Sequence, residues 1–591
     1  MDPVYRWLAS RSISGYFGLQ VAKPALNNLP FDIFLAIVGF LLPQDIIALR
    51  KTCKDLKSLT TARPIWTAAV REMCKRNSVF LTTYDLEGMS LEVLEHTATA
   101  PLRCLNLLRS HSGPRADFTG NSERRLSPLA RQALSLRIPG ERPFSSFWED
   151  HFNFFSLVPG GRFLLATSTR HFHIWDLGQN AYCGVRPLPL YVKTLDELLK
   201  EPEEPFSLGC NIMIYEAKEH GRIIFALYHA RVVGVFEVDF ASRPSNRQLD
   251  VRLLCRLHCD FVARPRSMSN THVVLSAIES ADSALVVWNY RLNKFARLDT
   301  QRSEEVFLTG TSVILPNRAH IRLNKLGEFY DITTPQGRRM RFTDLPKQCA
   351  PLPISTIPAE DDYTDAWIVQ KPWFYKTPAS SEFSLFGDRN LHHFELAPVV
   401  WVDPAHVEVF PSHYPLYRAK IPRTVEGEDL GDTGLVVASC EGHMFVLFHD
   451  SIDEISCMSY RATMDGTAAL PAMAPLTLDL MQQVRDLDFC PASGRLCVLL
   501  HDQVQGPDEL LVLDFLVPDR GLAECMSFQR LEGSADDSPG GSSGVLSQRI
   551  VCAHTPPTTF GTTHQRTRQQ RTMQIPIHRP YTVQEQDLVA S

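Results

Sequence analysis

The sequence predicts an α+β multidomain protein: a short all-α unit near the N-terminus with a helical linker, then a large all-β domain, then a disordered tail. Three observations carry this. Apolar residues recur at helical spacing from Leu29 to about residue 110. From about residue 147 the period becomes alternating, and one strand–turn–strand layout recurs to about residue 520. From Gly533 the chain reads GSADDSPGGSSG and then becomes rich in Thr, Gln, Pro and Arg, a composition that cannot bury a core. These shifts divide the chain into an N-terminal segment (1–27), helices (28–70), helical linker and basic loop (71–146), β domain (147–532) and tail (533–591).

Size and charge narrow the function. The chain has 591 residues, enough for two or three units. A formal net charge of −6 is small for this length and does not suggest a nucleic-acid partner. The 14 cysteines are scattered, without the spacing of a secreted disulfide scaffold. Arg6, Arg11 and Lys23 interrupt any leader-like apolar run. The longest apolar stretch, Ile33–Pro43, falls short of the roughly 18 residues a membrane span needs. The expected setting is reducing, cytoplasmic and/or nuclear, with no membrane partner.

The helical unit is written in LPFDIFLAIVGFLLPQDIIALRKTCKDLKSLTTARPIW, residues 29–66. Pro30 suits a first turn, where its missing N–H costs nothing, and Asp32 favours the same end. Ile33, Ile37 and Leu41 follow at i, i+4, i+8 and so share a face. Pro43 breaks the run. Asp45 opens a second helix with Ile46, Leu49, Cys53 and Leu56 on one face, and a third starts near Pro64 with Trp66, Val70 and Met73 on one stripe. Three helices this short cannot bury their apolar faces among themselves, so a surplus goes against a partner or the rest of the chain.

Leu29-Pro30, Asp32, Ile33, Ile37, Leu41, Asp45-Ile46, Leu49, Cys53, Leu56, Leu59 and Trp66 resemble, in order and spacing, an F-box. The resemblance implies docking on the Skp-type adaptor of a cullin–RING ubiquitin ligase. By position match it assigns the apolar adaptor contact to Leu29, Pro30, Ile33, Ile37, Leu41 and Ile46, while Trp66 locks the third helix. The plain structural reading of the same residues is an amphipathic helical hairpin.

Beyond Trp66, Ser90 is an N-cap candidate without a full capping box, because Val93 stands where Glu or Gln would complete one. Leu102, Leu105 and Leu108 continue an apolar stripe. Arg115, Arg124, Arg125, Arg131, Arg137 and Arg142 then lie among Ser, Gly and Pro, read as a solvated connection rather than a docking strip.

HFNFFSLVPGGRFLLATSTRHFHIWDLG, residues 151–178, reads as strands at Phe152–Val158, Arg162–Thr167 and His171–Trp175 around a Pro159-Gly160-Gly161 turn. The segment resembles a WD repeat ending in Trp175-Asp176. Residues 212–239 repeat it, with Gly221-Arg222 and Phe236-Glu237, and residues 484–515 repeat it with Gly494-Arg495 and Leu513-Asp514. Further strand clusters lie at 272–298, 306–332, 383–410 and 434–448. Radial packing of such units covers their faces without long free edges. About seven units fit, near the ~40–45 residues per blade of this class, so the β domain reads as a divergent β-propeller. A β-sandwich or two smaller β domains is the alternative. Two insertions stand out: the acidic LDELLKEPEEP within 188–206, read as a short helix plus loop, and 346–382, with Asp361, Asp362, Asp365, Trp367, Trp373, Phe374 and Tyr375 as either a recognition surface or a loop folded back on an edge.

Catalytic signatures are weak. Gly540–Gly544 matches a nucleophile-elbow pattern but lies in the linker-like tail, away from any α/β sheet. Cys255, His258 and Cys259 lack a second ligand pair, and Leu253, Cys255, Leu257 and Cys259 alternate as one strand face. His171 and His173 read as structural. No phosphate loop, dinucleotide glycine pattern or HExxH helix occurs. No catalytic, cofactor or metal site is assigned. The expected function is the substrate-recognition subunit of an SCF-type ligase: F-box on the Skp-type adaptor and through it a cullin, β domain on an unknown target protein, with no bond chemistry in this chain. The alternatives are a propeller scaffold without ubiquitin transfer and an enzyme with its site in the central channel.

Overall fold

In the computed structural model, the residues described are 26, 29–111, 126–134, 151–179, 188–200 and 211–216, then 221–229, 231–241, 249–261, 263–277, 284–299 and 306–309. They continue with 312–316, 320–326, 329–331, 355–358, 381–386, 390–398, 413–422, 424–425 and 428–429, and end with 436–451, 454–461, 472–477, 483–501 and 509–516. The N-terminal aromatic residues, all the linker arginines but Arg131, the acidic-aromatic cluster 361–375 and the tail lie outside this set.

The helical unit holds α1 (Phe31–Val38), α2 (Pro43–Arg50), α3 (Lys54–Thr60), α4 (Arg63–Arg76) and α5 (Leu91–His111). Local chemistry sets the ends. Pro43 is in the first turn of α2, and the Asp45 carboxylate accepts the Leu42 N–H at 3.3 Å. The helix over Ile46–Leu56 that the spacing predicts is two helices: Cys53 is extended and caps α3, its Sγ accepting the Leu56 N–H at 3.5 Å. Ser90 Oγ accepts the Val93 N–H at 3.4 Å and starts α5. On α4, Trp66, Val70 and Met73 are buried together.

One arginine ties these helices. Arg50 makes a bidentate pair with Glu95 of α5 (2.9 and 2.6 Å), donates to the Thr60 carbonyl at 3.1 Å, and lies 5.3 Å from the Trp66 ring centre. Trp66 Nε1 donates to that same carbonyl at 2.8 Å. The last turn of α3, the start of α4 and the first turns of α5 are thereby fixed around one buried indole.

The β region is a succession of antiparallel meanders. Blade 1 is β2 (Phe152–Leu157), β3 (Phe163–Ser168), β4 (His171–Asp176) and β5 (Tyr191–Thr194); blade 2 is β6 (Asn211–Glu216), β7 (Arg222–His229), β8 (Val232–Asp239) and β9 (Val251–His258). Blade 3 is β10 (Ala263–Met268), β11 (His272–Ala277), β12 (Ala284–Asn289) and β13 (Lys294–Asp299); blade 4 is β14 (Phe307–Thr309), β15 (Ser312–Pro316), β16 (His320–Lys325) and β18 (Ser355–Pro358). The short β17 (Tyr330–Asp331) reaches back to the edge of blade 3. Blade 5 is β19 (Ser381–Phe386), β20 (Asn390–Pro398) and β21 (His413–Pro422), followed by a small hairpin, β22 (Thr424–Val425) and β23 (Glu428–Asp429). Blade 6 is β24 (Val436–Cys440), β25 (His443–Ser451), β26 (Glu454–Arg461) and β27 (Ala472–Thr477).

The last sheet closes the ring. β28 (Gln483–Cys490), β29 (Arg495–His501) and β30 (Glu509–Asp514) take their fourth strand from β1 (Ala130–Leu134), far earlier in the chain. The segment read from sequence as a basic linker therefore contains the strand that completes blade 7. First strands of successive blades lie side by side from β24 through β28, β2, β6 and β10 to β14. Seven sheets in sequence, with the last finished by an early strand, are a β-propeller.

The Gly-Arg repeat has a structural meaning. Gly161, Gly221 and Gly494 turn the chain at positive φ between first and second strands. The arginine after each pairs with an aspartate at the end of the third strand: Arg162 with Asp176 (2.8 Å), Arg222 with Asp239 (3.2 Å) and Arg495 with Asp514 (2.7 Å). In blade 2 the third strand runs two residues past Glu237, so Asp239, not Glu237, stands at the equivalent of Asp176. Blade 3 substitutes His272 and Asn289 at the same register, 3.1 Å apart.

A short helix, α6 (Leu195–Leu199), falls where the acidic insertion predicted one. Thr194 caps it, accepting the Glu197 N–H at 3.2 Å, and Arg256 of β9 donates to the Leu199 and Lys200 carbonyls at 3.2 and 3.0 Å. Its seat is Gly234, mid-strand in β8, where a Cβ would stand 2.6 Å from Leu199 and 2.5 Å from Phe236. Gly234→Ala is expected to displace α6 and cost about 1–3 kcal/mol by overpacking, read as a lower urea midpoint with unchanged slope.

Candidate functional site

An eight-residue helix, α1, presents two apolar stripes. Phe34 and Val38 point inward and join the core with Trp66, Val70 and Leu94. Ile33 and Ile37, one position round, are 46% and 38% exposed. Phe40, just past the helix, is 91% exposed, with Phe31 at 41% and Leu42 at 37% beside it. Five large apolar side chains within twelve residues lack cover, whereas among the other described residues such side chains are exposed only singly. Pro30, Ile33, Ile37 and Phe40 recur at helical spacing and make a continuous strip.

The six residues singled out from sequence divide on this geometry. Pro30, Ile33 and Ile37 are exposed, Leu29 and Leu41 half-buried, and Leu41 packs on the core. Ile46 stands apart: at 1% exposure it lies in the core of the helical unit. Its neighbours around α2 explain this, since Gln44, Asp45 and Ala48 take the outer face and leave Ile46 the inner one. Phe31, Phe40 and Leu42 were missed. The signal that finds them is the near-uniform apolarity of FDIFLAIV, more than one buried stripe can use.

Further along the chain, the helical unit is seated on the propeller rather than tethered to it. One apolar cluster runs from Phe34 and Trp66 through Tyr84, Cys104, Leu105 and Leu108 into Leu447, Cys457, Phe489 and Leu496 of blades 6 and 7 and Phe152 and Trp175 of blade 1. The stretch 71–111 is the seat itself.

Among its described residues the β domain offers no reactive cluster. Among the described residues no group of three His, Cys, Asp or Glu side chains is placed to hold a metal ion. Cys255 and Cys259 lie on the face of β9 and just beyond it, and burial pushes both thiols up. His173 is buried and stacks on Trp175 at 4.9 Å, with neither ring nitrogen hydrogen-bonded. Burial, aided by His171, lowers its pKa to about 3. The unfolded chain takes up a proton near pH 6.5 that the native ring refuses, so stability drops as pH falls from about 6.5 toward 3. His173→Phe is expected to flatten that acid limb by several kcal/mol at most, with little cost at neutral pH because no hydrogen bond is lost. A set of urea titrations from pH 7 to 4 checks this.

An outward apolar strip on a helical unit that is seated on a β-propeller is the surface this geometry singles out. Residues 26–68 match the F-box domain family, and the chain carries an F-box domain there. No curated protein matches it. Among solved structures, the chain is similar to the WD40 domain of SCAP from fission yeast (9% identity, 62% of this chain, 82% of that one, TM-score 0.34). It is also similar to Hsv2 of Kluyvelomyces marxianus (8%, 62% and 100%, 0.33) and to a chain of the mitotic checkpoint complex (12%, 67% and 94%, 0.32). Strand order, rather than these superpositions, defines the fold here. Among the described residues no helix is long and apolar enough to cross a membrane.

Proposed function

We propose that this chain is the substrate-recognition subunit of an SCF-type ubiquitin ligase, acting in the cytoplasm or nucleus. The observation that carries it is the uncovered strip Pro30, Ile33, Ile37 and Phe40 lying within the F-box domain. The strip is the surface for the Skp-type adaptor, and the adaptor brings the cullin. Leu29 and Leu41 support it from the half-buried rim, and Ile46 holds it from below. The propeller carries the target protein. The segment Asn77–Thr83 lies against Glu441 of blade 6, Pro159 and Gly160 of blade 1 and Gly221 of blade 2, and targets use surface away from it. The chain does no bond chemistry in this reading. It raises the effective concentration of a target lysine near a ubiquitin-charged enzyme and orients it.

Co-purification of the full chain with a Skp-type adaptor tests the first half, with Ile33→Asp/Ile37→Asp as control. Loss of binding in the control supports the reading, and equal binding removes it. Mass spectrometry of captured proteins, with and without proteasome block, tests the second half. Partners that accumulate under block only when the strip is intact are targets. Partners indifferent to the strip mark a scaffold instead.

A further inference from the structure

Two features meet at one end of the propeller. The first is the segment from Asn77 to Tyr84, between α4 and α5, which includes a 3₁₀ turn at Leu81–Thr83. The second is the set of turns joining first to second strands. Phe80 is fully buried, packed with Val158 and Phe163 of blade 1 and Phe240 of blade 2, its ring 5.9 Å from that of Phe240. Its N–H donates to the Pro159 carbonyl at 3.0 Å, and Thr83 Oγ1 donates to the same oxygen at 3.3 Å. Arg162 returns a bond to the Thr83 carbonyl at 3.2 Å. The approach is so close that a Cβ on Gly160 would stand 2.5 Å from Thr83 Oγ1.

Blade 6 is gripped separately. Asn77, at the C-terminus of α4, accepts the Glu441 N–H at 2.7 Å and donates to the Glu441 carboxylate at 3.0 Å. Arg76 adds an ion pair to that carboxylate at 3.5 Å. Glu441 holds φ at 51°, a left-handed conformation unusual for a glutamate, which turns its N–H and its side chain toward the same asparagine. At the far end of α5, Arg109 donates to His443 Nε2 at 2.7 Å. Between these grips lies the seam where the ring closes, with blade 7 flanked by blades 6 and 1.

We infer that the helical unit is a clasp for the propeller. Phe80 plugs blades 1 and 2 together, the Asn77–Glu441 pair holds blade 6, and the closing seam between them stays shut because both ends are held by one rigid helix pair. Seating of the helices and closure of the ring are one equilibrium. The clasp concerns this chain alone and does not depend on any adaptor, so its failure and a failure of adaptor binding are separate results.

Buried thiols report the state of the clasp. Cys440 and Cys490 lie under the seated helices, whereas Cys259 is buried away from them in the blade 2–3 cluster. Three full-length variants are compared: Glu441→Gly, which keeps the left-handed backbone and removes the carboxylate, Asn77→Ala, and Phe80→Ala. Maleimide labelling of Cys440 and Cys490 is expected to quicken about ten-fold in the first two, the effect of losing one or two hydrogen bonds, with Cys259 unchanged. Amide exchange should rise in β2 and β28 but stay slow in β11 and β12. Phe80→Ala should show the same pattern more strongly. Unchanged labelling in both polar variants would show that these residues are no clasp. Faster labelling with β2 and β28 still protected would show that the seam closes by itself. Either result overturns the inference.

Discussion

Arg495→Met is expected to destabilise the chain by about 3–5 kcal/mol, more than the same change at Arg162 or Arg222. Arg495 is fully buried at the joint of blades 7 and 1. Its guanidinium forks onto Asp514 at 2.7 and 3.0 Å, and Nη1 also donates to the carbonyls of Gly161 and Gly178 in blade 1. Burial works against this charge, but the Asp514 carboxylate beside it keeps the proton on. Methionine would leave the buried Asp514 side chain without this partner and strip two carbonyls of their donor. The same position in the other blades sets a scale. Arg162, whose side chain is 15% exposed, should cost about 1–2 kcal/mol, and Arg222, at 33%, about 1 kcal/mol or less. Urea denaturation of the three methionine variants gives the order directly. Arg495→Met/Asp514→Leu should recover much of the loss, since removing both charges leaves neither stranded. Equal costs in all three blades, or no recovery in the double variant, would rule out a closing latch at this position.

That ranking shows what was readable in the sequence and what was not. The Gly-Arg and Trp-Asp or Leu-Asp pairs are local. A turn residue and a strand end fifteen to twenty positions apart are brought together by one meander, so their recurrence announced the blades. The carbonyls of Gly161 and Gly178 lie more than three hundred residues before Arg495, and no local pattern marks that meeting. The fourth strand of blade 7 escaped for the same reason. ARQAL alternates only weakly and sits among arginines, and it is a strand because the free edge of β30 needs a partner. In the helical unit, spacing placed Trp66, Val70 and Met73 on one face correctly, because polar residues flank that stripe. On α1 apolar side chains go nearly all round, so periodicity alone could not say which stripe faces the core. Whether Ile46 faces inward or outward depends on where α5 packs, through Arg50 and Glu95, forty-five residues apart.

Ile33→Asp/Ile37→Asp is expected to weaken adaptor binding about 30- to 1000-fold while leaving the fold intact, and Ile46→Asp to do the reverse. Burying an aliphatic side chain fully is worth roughly 1.5–3 kcal/mol. Ile33 and Ile37 are already about half covered, so each has roughly half of that left to give a partner, and Phe40 has nearly all of it. Two carboxylates in their place forfeit this and must also be desolvated in the interface, a loss of about 2–4 kcal/mol. The unbound chain loses only the packing of the covered half of each side chain, and the aspartate carboxylates can still reach solvent. Aspartate at 46 instead sits among Phe34, Trp66 and Leu94 with no partner for its charge, a fold-breaking change. Thermal melts and adaptor titration of the two variants separate the roles. A folded Ile46→Asp that has lost only the adaptor would return Ile46 to the contact surface. A folded double variant that binds the adaptor normally would move the contact off α1. Phe40→Ser gives the intermediate case: its ring touches little within the chain, so any affinity it removes, expected at about ten-fold or more, belongs to the partner alone.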